Sequence, residues 1–203
     1  MPVTILTAAH TDEIVTVLCD AFRDYPVMRF VVGPAADYDR GLRTLVDLFV
    51  AGRVLRGEPL LGIPGNDGSL VGAAIMSISS GQAVPAALVA KRELTWSELG
   101  DDARQRYEMY SAATASFNPG AYHHHLNMIG VRRSRGGTGQ GRLLLEAVQE
   151  VAQKDSRSAG VSLSTESSRN VDLYRHFGYR VLGQANVGGD FETWGMFRER
   201  QRG

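Results

Sequence analysis

The spacing of apolar residues predicts helices in the first quarter of the chain. Residues 11–23 keep apolar side chains on one helical face, and residues 38–56 repeat that pattern over a longer stretch. Between them, Pro26 and Pro34 interrupt the pattern, so "DYPVMRFVVGP" is predicted to break the helical run. The inward positions predicted for these two helices are Ile14, Val15, Leu18, Ala21 and Phe22, then Leu42, Leu45, Val46, Phe49 and Val50.

Strand signals surround and follow these helices. A short β-branched run at 3–9 predicts a first strand. Residues 59–64 and 70–78 flank the turn-rich "GNDGS" and predict two antiparallel strands joined by a tight loop. Residues 79–120 are the least regular part of the chain, with a predicted helix at about 101–113. An insertion of this length often carries specificity.

The second half alternates strands and helices more clearly. It predicts strands at 122–131 and 160–165, helices at 138–154 and 169–178, and closing strands at 179–186 and 192–199. This order predicts a mixed α/β sheet, and no linker or internal repeat divides it. We therefore expect one α/β (α+β) domain over residues 1–203.

Composition excludes several classes of protein. The 22 basic and 22 acidic residues cancel, so no overall charge attracts the chain to nucleic acid. One cysteine, Cys19, excludes a disulfide scaffold and fits a reduced compartment. No run approaches the length of a membrane span, and the first residues have no basic segment followed by an apolar one. The sequence predicts a soluble cytoplasmic protein without nucleic-acid or membrane partners.

The segment "GVRRSRGGTGQG" at 130–141 is the strongest local signal. It lies between a predicted strand and a predicted helix, so its backbone N–H groups and the helix amino terminus can bind an anion. Glycines let a polyanion approach the backbone closely. Four arginines surround the glycines: Arg132, Arg133, Arg135 and Arg142. The arginines and glycines together favour binding of a pyrophosphate with a further phosphate nearby.

Two familiar phosphate-binding motifs do not fit this segment. A P-loop needs a lysine after its last glycine, and the segment contains none. A dinucleotide fingerprint that started at Gly137 would require glycine at position 142, where Arg142 stands. On the glycines alone, a flexible loop with a solvated basic face remains an equal alternative.

Residues 122–197 resemble the GNAT superfamily of acyl-CoA-dependent N-acetyltransferases. In that family a strand ending in valine precedes [QR]-x-x-G-x-[GA]; here Val131 ends the strand and residues 136–141 read "GGTGQG". The segment "LSTESSRNVDLYRHFGYRV" at 163–181 matches the second signature of the family, with Asn170, Tyr174 and the pair Gly178 and Tyr179. The loop departs from the pattern at its first position, where Gly136 replaces glutamine or arginine and the neighbouring Arg135 offers a substitute side chain.

The resemblance implies a fold and a cofactor. The fold is a mixed, mostly antiparallel sheet of about seven strands with helices on both faces, splayed at its central parallel strand pair. Acetyl-CoA would lie in the splay, where strand N–H and C=O groups need partners. The implied cofactor contacts are Ile129, Gly130, Val131, Arg135, Gly136, Gly137, Thr138, Gly139, Gln140, Gly141, Arg142, Asn170 and Tyr174.

The resemblance also implies a chemistry. Val131 N–H would polarise the thioester carbonyl, and Tyr174 would protonate the departing sulfur. For the base, His125 precedes Val131 by six residues, where some members of the family carry Glu or His; Glu166 is the alternative, and the third possibility is a water chain or no dedicated base. Strand alternation places His123, His125, Asn127 and Ile129 on one face. No third ligand has a suitable spacing from the two histidines, so no metal site is predicted.

The functional expectation is direct transfer of an acetyl group to an amine in a ternary complex, with a small molecule favoured as acceptor. The alternative is a non-catalytic acyl-CoA-binding or regulatory domain of the same fold. The acceptor pocket is expected to draw on residues 24–35, on 79–120 and on the final hairpin. A monomer or a homodimer is expected. The aromatic candidates for the pocket are Tyr25, Trp96, Tyr107, Tyr110 and Trp194.

Overall fold

The computed structural model describes residues 2–34, 36–79 and 81–201. These residues form one sheet of seven strands in the order β1-β2-β3-β4-β5-β7-β6. The strands are β1 (Thr4–Ile5), β2 (Leu60–Pro64), β3 (Leu70–Ile78), β4 (His124–Val131), β5 (Gly160–Thr165), β6 (Arg180–Val187) and β7 (Phe191–Glu199). The helices are α1 (Thr11–Phe22), α2 (Pro26–Val32), α3 (Tyr38–Arg56), α4 (Ala86–Leu99), α5 (Asp101–Thr114), α6 (Gln140–Lys154) and α7 (Ser168–His176).

The sheet confirms the expected topology. Among the described strands, β4 and β5 form the parallel pair, and every other neighbouring pair is antiparallel. Two hydrophobic cores lie on opposite faces of this sheet. One core packs the sheet against α1 to α4, and the other packs it against α6 and α7. The predicted layer of helices on both faces is therefore confirmed.

The structure corrects the sequence reading of the region before α3. Pro26 was predicted to interrupt helical structure, but it begins α2. Proline is tolerated at the first helical position because the N–H that it lacks would have no partner there. Helix α2 then buries four apolar side chains, Val27, Met28, Val31 and Val32.

Helix α4 was also absent from the sequence prediction. It occupies the irregular region after β3, and it buries only Leu88, Thr95 and Trp96 along its length. Such a thin buried stripe gives a weak helical period, which explains the omission. The other predicted elements are present with shifts of a few residues at their ends, and β1 is shorter than the predicted strand. Ala35 and Ser80, within the predicted pocket ranges, lie outside the described residues.

Strand β4 contains a bulge that changes which side chains share a face. Ile75 of β3 pairs with Met128 and Met76 pairs with Leu126, so Asn127 has no partner in the register. One extra residue reverses the alternation beyond it. Leu126 and Met128 consequently belong to different cores. The prediction that His125 and Ile129 share one face was therefore wrong.

Within the residues that the structure describes, no helix combines the length and the hydrophobicity that crossing a membrane requires.

Candidate active site

The candidate site begins where β4 and β5 separate. These strands pair only at His124↔Val161, His125↔Ser162 and Leu126↔Leu163, although β4 continues to Val131 and β5 to Thr165. The carboxyl-terminal half of β4 therefore has an edge without a strand partner on the β5 side. The expected splay of the parallel pair is present.

The free edge of β4 presents specific backbone groups. Gly72 of β3 faces Val131, and Arg132 N–H donates to Val71 O at 2.8 Å. In an antiparallel ladder this bond makes Gly72 and Val131 a pair that does not exchange hydrogen bonds. The N–H and C=O groups of Val131, and by alternation those of Ile129, therefore point away from β3 and into the gap.

Gly130 has a different part in this region. Its backbone faces β3, and a Cβ atom at this position would come within 2.6 Å of the Ala21 side chain. Glycine at 130 therefore permits the close packing of α1 against β4. Helix α1 in turn forms one wall of the site through Ala21 and Phe22.

A cavity of about 900 Å³ opens at this gap. Its floor is the splayed part of β4 together with Leu163, Ser164 and Glu166. Helices α1 to α5 and α7 form the walls, and the apolar and aromatic side chains dominate one side. The wall residues that recur below are Tyr25, Phe49, Arg53, Arg92, Trp96, Arg104, Tyr107, Tyr110, Asn170 and Tyr174.

Tyr174 of α7 lines the cavity. The residue is 8% exposed, and its ring packs on Tyr179 with centroids 5.6 Å apart. The hydroxyl group forms no hydrogen bond with any residue that the structure describes. Burial raises the pKa of Tyr174 above its ordinary value, and nearby Tyr25, Tyr179 and Glu166 raise it further. The phenol is therefore protonated at neutral pH and available to donate.

Glu166 is a buried carboxyl group at the end of β5. Its Oε1 atom accepts hydrogen bonds from Tyr110 (3.0 Å) and from Thr193 (2.8 Å). Its N–H donates to the Tyr25 hydroxyl at 3.1 Å, and that hydroxyl lies 2.9 Å from Thr165 Oγ1. Its Oε2 atom forms no hydrogen bond within the described part of the chain. Burial raises the pKa of Glu166, while these hydroxyl groups oppose the shift.

His125 occupies a different part of the cavity. It lies on the portion of β4 that still pairs with β5, and its Nδ1 is 2.8 Å from Ser162 Oγ. Burial and, to a smaller extent, the charges of His123 and Arg53 together lower its pKa to about 4. The imidazole is thus neutral at pH 7, and its electrostatic neighbours are not those of Tyr174. Glu166 acts electrostatically on Tyr174, whereas His123 and Arg53 act on His125.

The glycine-rich segment forms a turn that leads into α6. Gly139 caps the helix with φ +79° and ψ −1°, a left-handed conformation that favours glycine. The N–H groups of residues 137–141 have no acceptor among the described residues. Five neighbouring donors at a helix amino terminus form a site for an anion. A phosphate is the kind of group that these free donors could bind.

The arginines of this segment are not equivalent. Arg133 is held by Asp20 of α1 and by Asp24, which follows that helix, and Arg132 donates to Leu70 O. Arg142 pairs with Glu146 at 2.8 Å. Arg135 is exposed and has no hydrogen bond or ion pair from its side chain to any described residue. Next to it, Gly136 has φ −58°, and its own turn leaves room for a side chain.

The aromatic candidates divide into two groups. Tyr25, Trp96, Tyr107 and Tyr110 line the cavity, whereas Trp194 packs in the core beneath α6 and α7. The expected pocket ranges 24–35 and 79–120 do contribute, but β6 and β7 line none of it among the described residues. Helix α3 supplies a wall that the sequence reading did not assign. Asn170 also lines the cavity, and its side chain donates to Thr165 Oγ1 at 3.4 Å.

Comparisons with known proteins give a consistent result for the fold. No protein-family model matches the sequence, and no curated protein matches it. A solved structure described as histone acetyltransferase HPA2 and related acetyltransferase, from Corynebacterium glutamicum, is 23% identical with a TM-score of 0.69. That match covers 100% of this chain and 97% of the other.

Two further structures extend this likeness. Arylalkylamine N-acetyltransferase 2 from Aedes aegypti is 14% identical with a TM-score of 0.67, covering 98% of each chain. An acetyltransferase of the GNAT family from Streptococcus pneumoniae is 14% identical with a TM-score of 0.54, also covering 98% of each chain. At such identities the likeness concerns the fold and not the substrate. The chain has the fold of the GNAT acetyltransferases.

Proposed function

We propose that this protein is an N-acetyltransferase that moves an acetyl group from acetyl-CoA directly to an amine in a ternary complex. The observation that carries this proposal is the free edge of β4, which faces a large cavity beside an unpartnered tyrosine hydroxyl. The fold and the sequence resemblance agree with it.

The described residues fit acetyl-CoA at two places. The free N–H groups at 137–141 suit its pyrophosphate, and Arg135 adds a cation whose side chain forms no hydrogen bond or ion pair with the described residues. The N–H and C=O groups of Ile129 and Val131 suit the amide groups of its pantetheine arm, much as an added strand would. Asn170 faces the same cavity from α7. When bound, acetyl-CoA supplies an acetyl thioester to this gap.

Two backbone and side-chain donors serve the reaction itself. Val131 N–H would polarise the thioester carbonyl, and loss of such a donor costs about 3 kcal/mol in the barrier. The Tyr174 hydroxyl would give its proton to the departing sulfur. Since burial raises the pKa of Tyr174, the proton is present before the sulfur becomes charged.

We propose that Glu166 takes the proton of the amine, directly or through water. Its Oε2 atom forms no hydrogen bond with the described residues, and its carboxyl group acts electrostatically on both Tyr174 and Tyr25. A carboxyl group whose pKa is raised by burial is also a stronger base once ionised. His125 has its own neighbours around Arg53, so we place it in the wall of the acceptor pocket.

The cavity favours a small acceptor. Its wall of apolar and aromatic side chains comes from α2 to α5, which cover one face of the sheet and enclose the space beside the gap. Pockets of this size and lining bind small molecules. A neighbouring fold whose described activity concerns arylalkylamines is consistent with this choice.

Release of free thiol from acetyl-CoA in the presence of amines tests the proposed function. We expect thiol release that depends on both the protein and the amine, with the acetylated amine as the second product. Tight binding of acetyl-CoA without thiol release from a broad panel of amines would instead show a non-catalytic acyl-CoA-binding domain.

Replacing Glu166 with glutamine is expected to lower kcat about a hundredfold, the usual scale for loss of a general base. The wild-type kcat should rise with pH as the carboxyl group loses its proton, since its pKa is raised, and this rise should be absent in Glu166→Gln. A pH profile of kcat for both proteins measures this effect. A His125→Gln variant that lost the rise, beside a Glu166→Gln variant that kept it, would transfer the role to His125.

Stability provides a control for the same variant. A carboxyl group with a raised pKa contributes most to stability when protonated, and that contribution is lost as pH rises through its folded-state pKa. Glutamine removes the buried charge and can still accept hydrogen bonds from Tyr110 and Thr193. The Tm of Glu166→Gln at pH 8 should therefore equal or exceed that of the wild type. A large fall in Tm would attribute the loss of activity to folding instead.

A further inference from the structure

The cavity wall contains a cationic region formed by α3 and α4. Arg53 of α3 donates from Nη1 to Asn127 Oδ1 at 3.1 Å, at the bulge in β4. Its Nε lies 3.0 Å from Glu58 Oε2, and both side chains of this pair are largely buried. Asn127, Arg53 and Arg92 of α4 all line the cavity. The geometry thus places two guanidinium groups on the same side of the space.

The charges of the cavity wall leave one of these arginines uncompensated. Glu58 compensates Arg53, and Arg104 is paired with Glu93 (3.7 Å) and Glu108 (3.1 Å). Arg92 is exposed and forms no hydrogen bond or ion pair with any residue that the structure describes. Burial lowers the pKa of Arg53, and repulsion by Arg56 and Arg92 adds to this effect. An anion between Arg53 and Arg92 would relieve that repulsion.

An apolar and aromatic surface accompanies this cationic region. Tyr107 packs against Trp96 with ring centroids 5.1 Å apart and against Phe49 at 6.1 Å. Arg53 and Arg92 both act electrostatically on Tyr107, so the aromatic group borders the two arginines. The cavity wall therefore combines a carboxyl group, a tyrosine hydroxyl, aromatic rings and an uncompensated cation.

We propose that the acceptor is an amine that also carries a carboxylate. Arg92, assisted by Arg53, binds the carboxylate, and the apolar body of the acceptor packs against Phe49, Trp96 and Tyr107. This inference rests on the proposed function only in calling the bound amine the acceptor. Binding at this site does not require turnover. An arginine suits this task because its planar group can bind both oxygens of a carboxylate.

Calorimetry with matched ligand pairs tests this site without relying on catalysis. The protein is saturated with coenzyme A, which has no acetyl group to transfer, and titrated with 4-(aminomethyl)benzoate or with 4-methylbenzylamine. A second pair is L-phenylalanine and 2-phenylethylamine. We expect the carboxylate member of at least one pair to bind about tenfold more tightly, since one charge-assisted hydrogen bond contributes on this scale.

Arg92→Ala should remove that preference and leave the affinity for the amine without a carboxylate within about twofold of the wild type. Lys91→Ala is the matched control, because Lys91 is the preceding residue of α4, pairs with Asp47 of α3 and does not line the cavity. Lys91→Ala should keep the preference. Arg92→Lys should restore part of it, since the charge returns without the planar fork.

Several outcomes would overturn the inference. Equal binding within both pairs, absence of binding by all four ligands, or a preference that survives in Arg92→Ala would each do so. Weaker binding of coenzyme A itself to Arg92→Ala would assign the arginine to the cofactor instead. If the preference is found but acetyl-CoA releases no thiol with any amine, the proposed function fails while this binding site stands.

Discussion

Gly139→Val is expected to abolish binding of acetyl-CoA, with Kd raised by about two orders of magnitude or more. Gly139 has φ +79°, which a β-branched residue adopts only at a substantial energetic cost. A valine would either distort the turn that aligns the free N–H groups of 137–141 or block their approach to the pyrophosphate. Loss of two charge-assisted hydrogen bonds of about 1.5–3 kcal/mol each accounts for an effect of this size.

Gly57→Val is the matched control for this substitution. Gly57 also has a left-handed backbone (φ +62°, ψ 30°), and a Cβ atom there meets nothing within 4 Å, as at Gly139. It ends α3 and lies outside both the cavity and the glycine-rich segment at 130–141. Calorimetry should find wild-type affinity for acetyl-CoA in Gly57→Val and none in Gly139→Val. Wild-type affinity in Gly139→Val would contradict the assignment of the loop to the pyrophosphate.

Tyr174→Phe should lower kcat by about two to three orders of magnitude, within the range for loss of a general acid. The Kd for acetyl-CoA should change little, because the hydroxyl group acts mainly as charge develops on sulfur. The fold should also tolerate the change, since the ring stays in its core and the hydroxyl has no partner to lose among the described residues. Steady-state kinetics, with calorimetry and Tm as companions, measures all three effects.

Tyr179→Phe controls for removal of a buried phenol. Tyr179 packs beside Tyr174, its buried hydroxyl forms no hydrogen bond with a described residue, and it does not line the cavity. Its removal should leave kcat within about twofold of the wild type, as expected for a group that touches no reacting atom. Equal losses in the two variants would indicate a packing effect and remove Tyr174 from the mechanism.

Much of the fold could be predicted from the sequence because its signals are local. The glycine-rich segment lies directly between β4 and α6, and the seven predicted strands are all present in the sheet. Helix α3 was predicted with its observed bounds, since its apolar positions repeat over many turns and Gly57 ends it. In these places neighbouring residues determine the structure.

The missed features depend on contacts between distant residues. The bulge at Asn127 is defined by the register with β3, so strand alternation alone placed His125 and Ile129 on one face. Likewise, Tyr110 is 56 residues from Glu166, and Tyr25 is 141 residues from it. Nothing in the local pattern around either tyrosine indicates a shared carboxyl group. Helix α4 was missed because it buries only Leu88, Thr95 and Trp96, which gives a weak helical period.

Thermal unfolding with and without millimolar acetyl-CoA tests the central claim, the cofactor site in the gap between β4 and β5, most directly. A ligand present at about 100 times its Kd stabilises the fold by about 2.7 kcal/mol, which gives a clear rise in Tm. We expect this rise in the wild type with acetyl-CoA, but not with NAD or ATP, and not in Gly139→Val. An unchanged Tm, or a rise with NAD or ATP alone, would contradict the account.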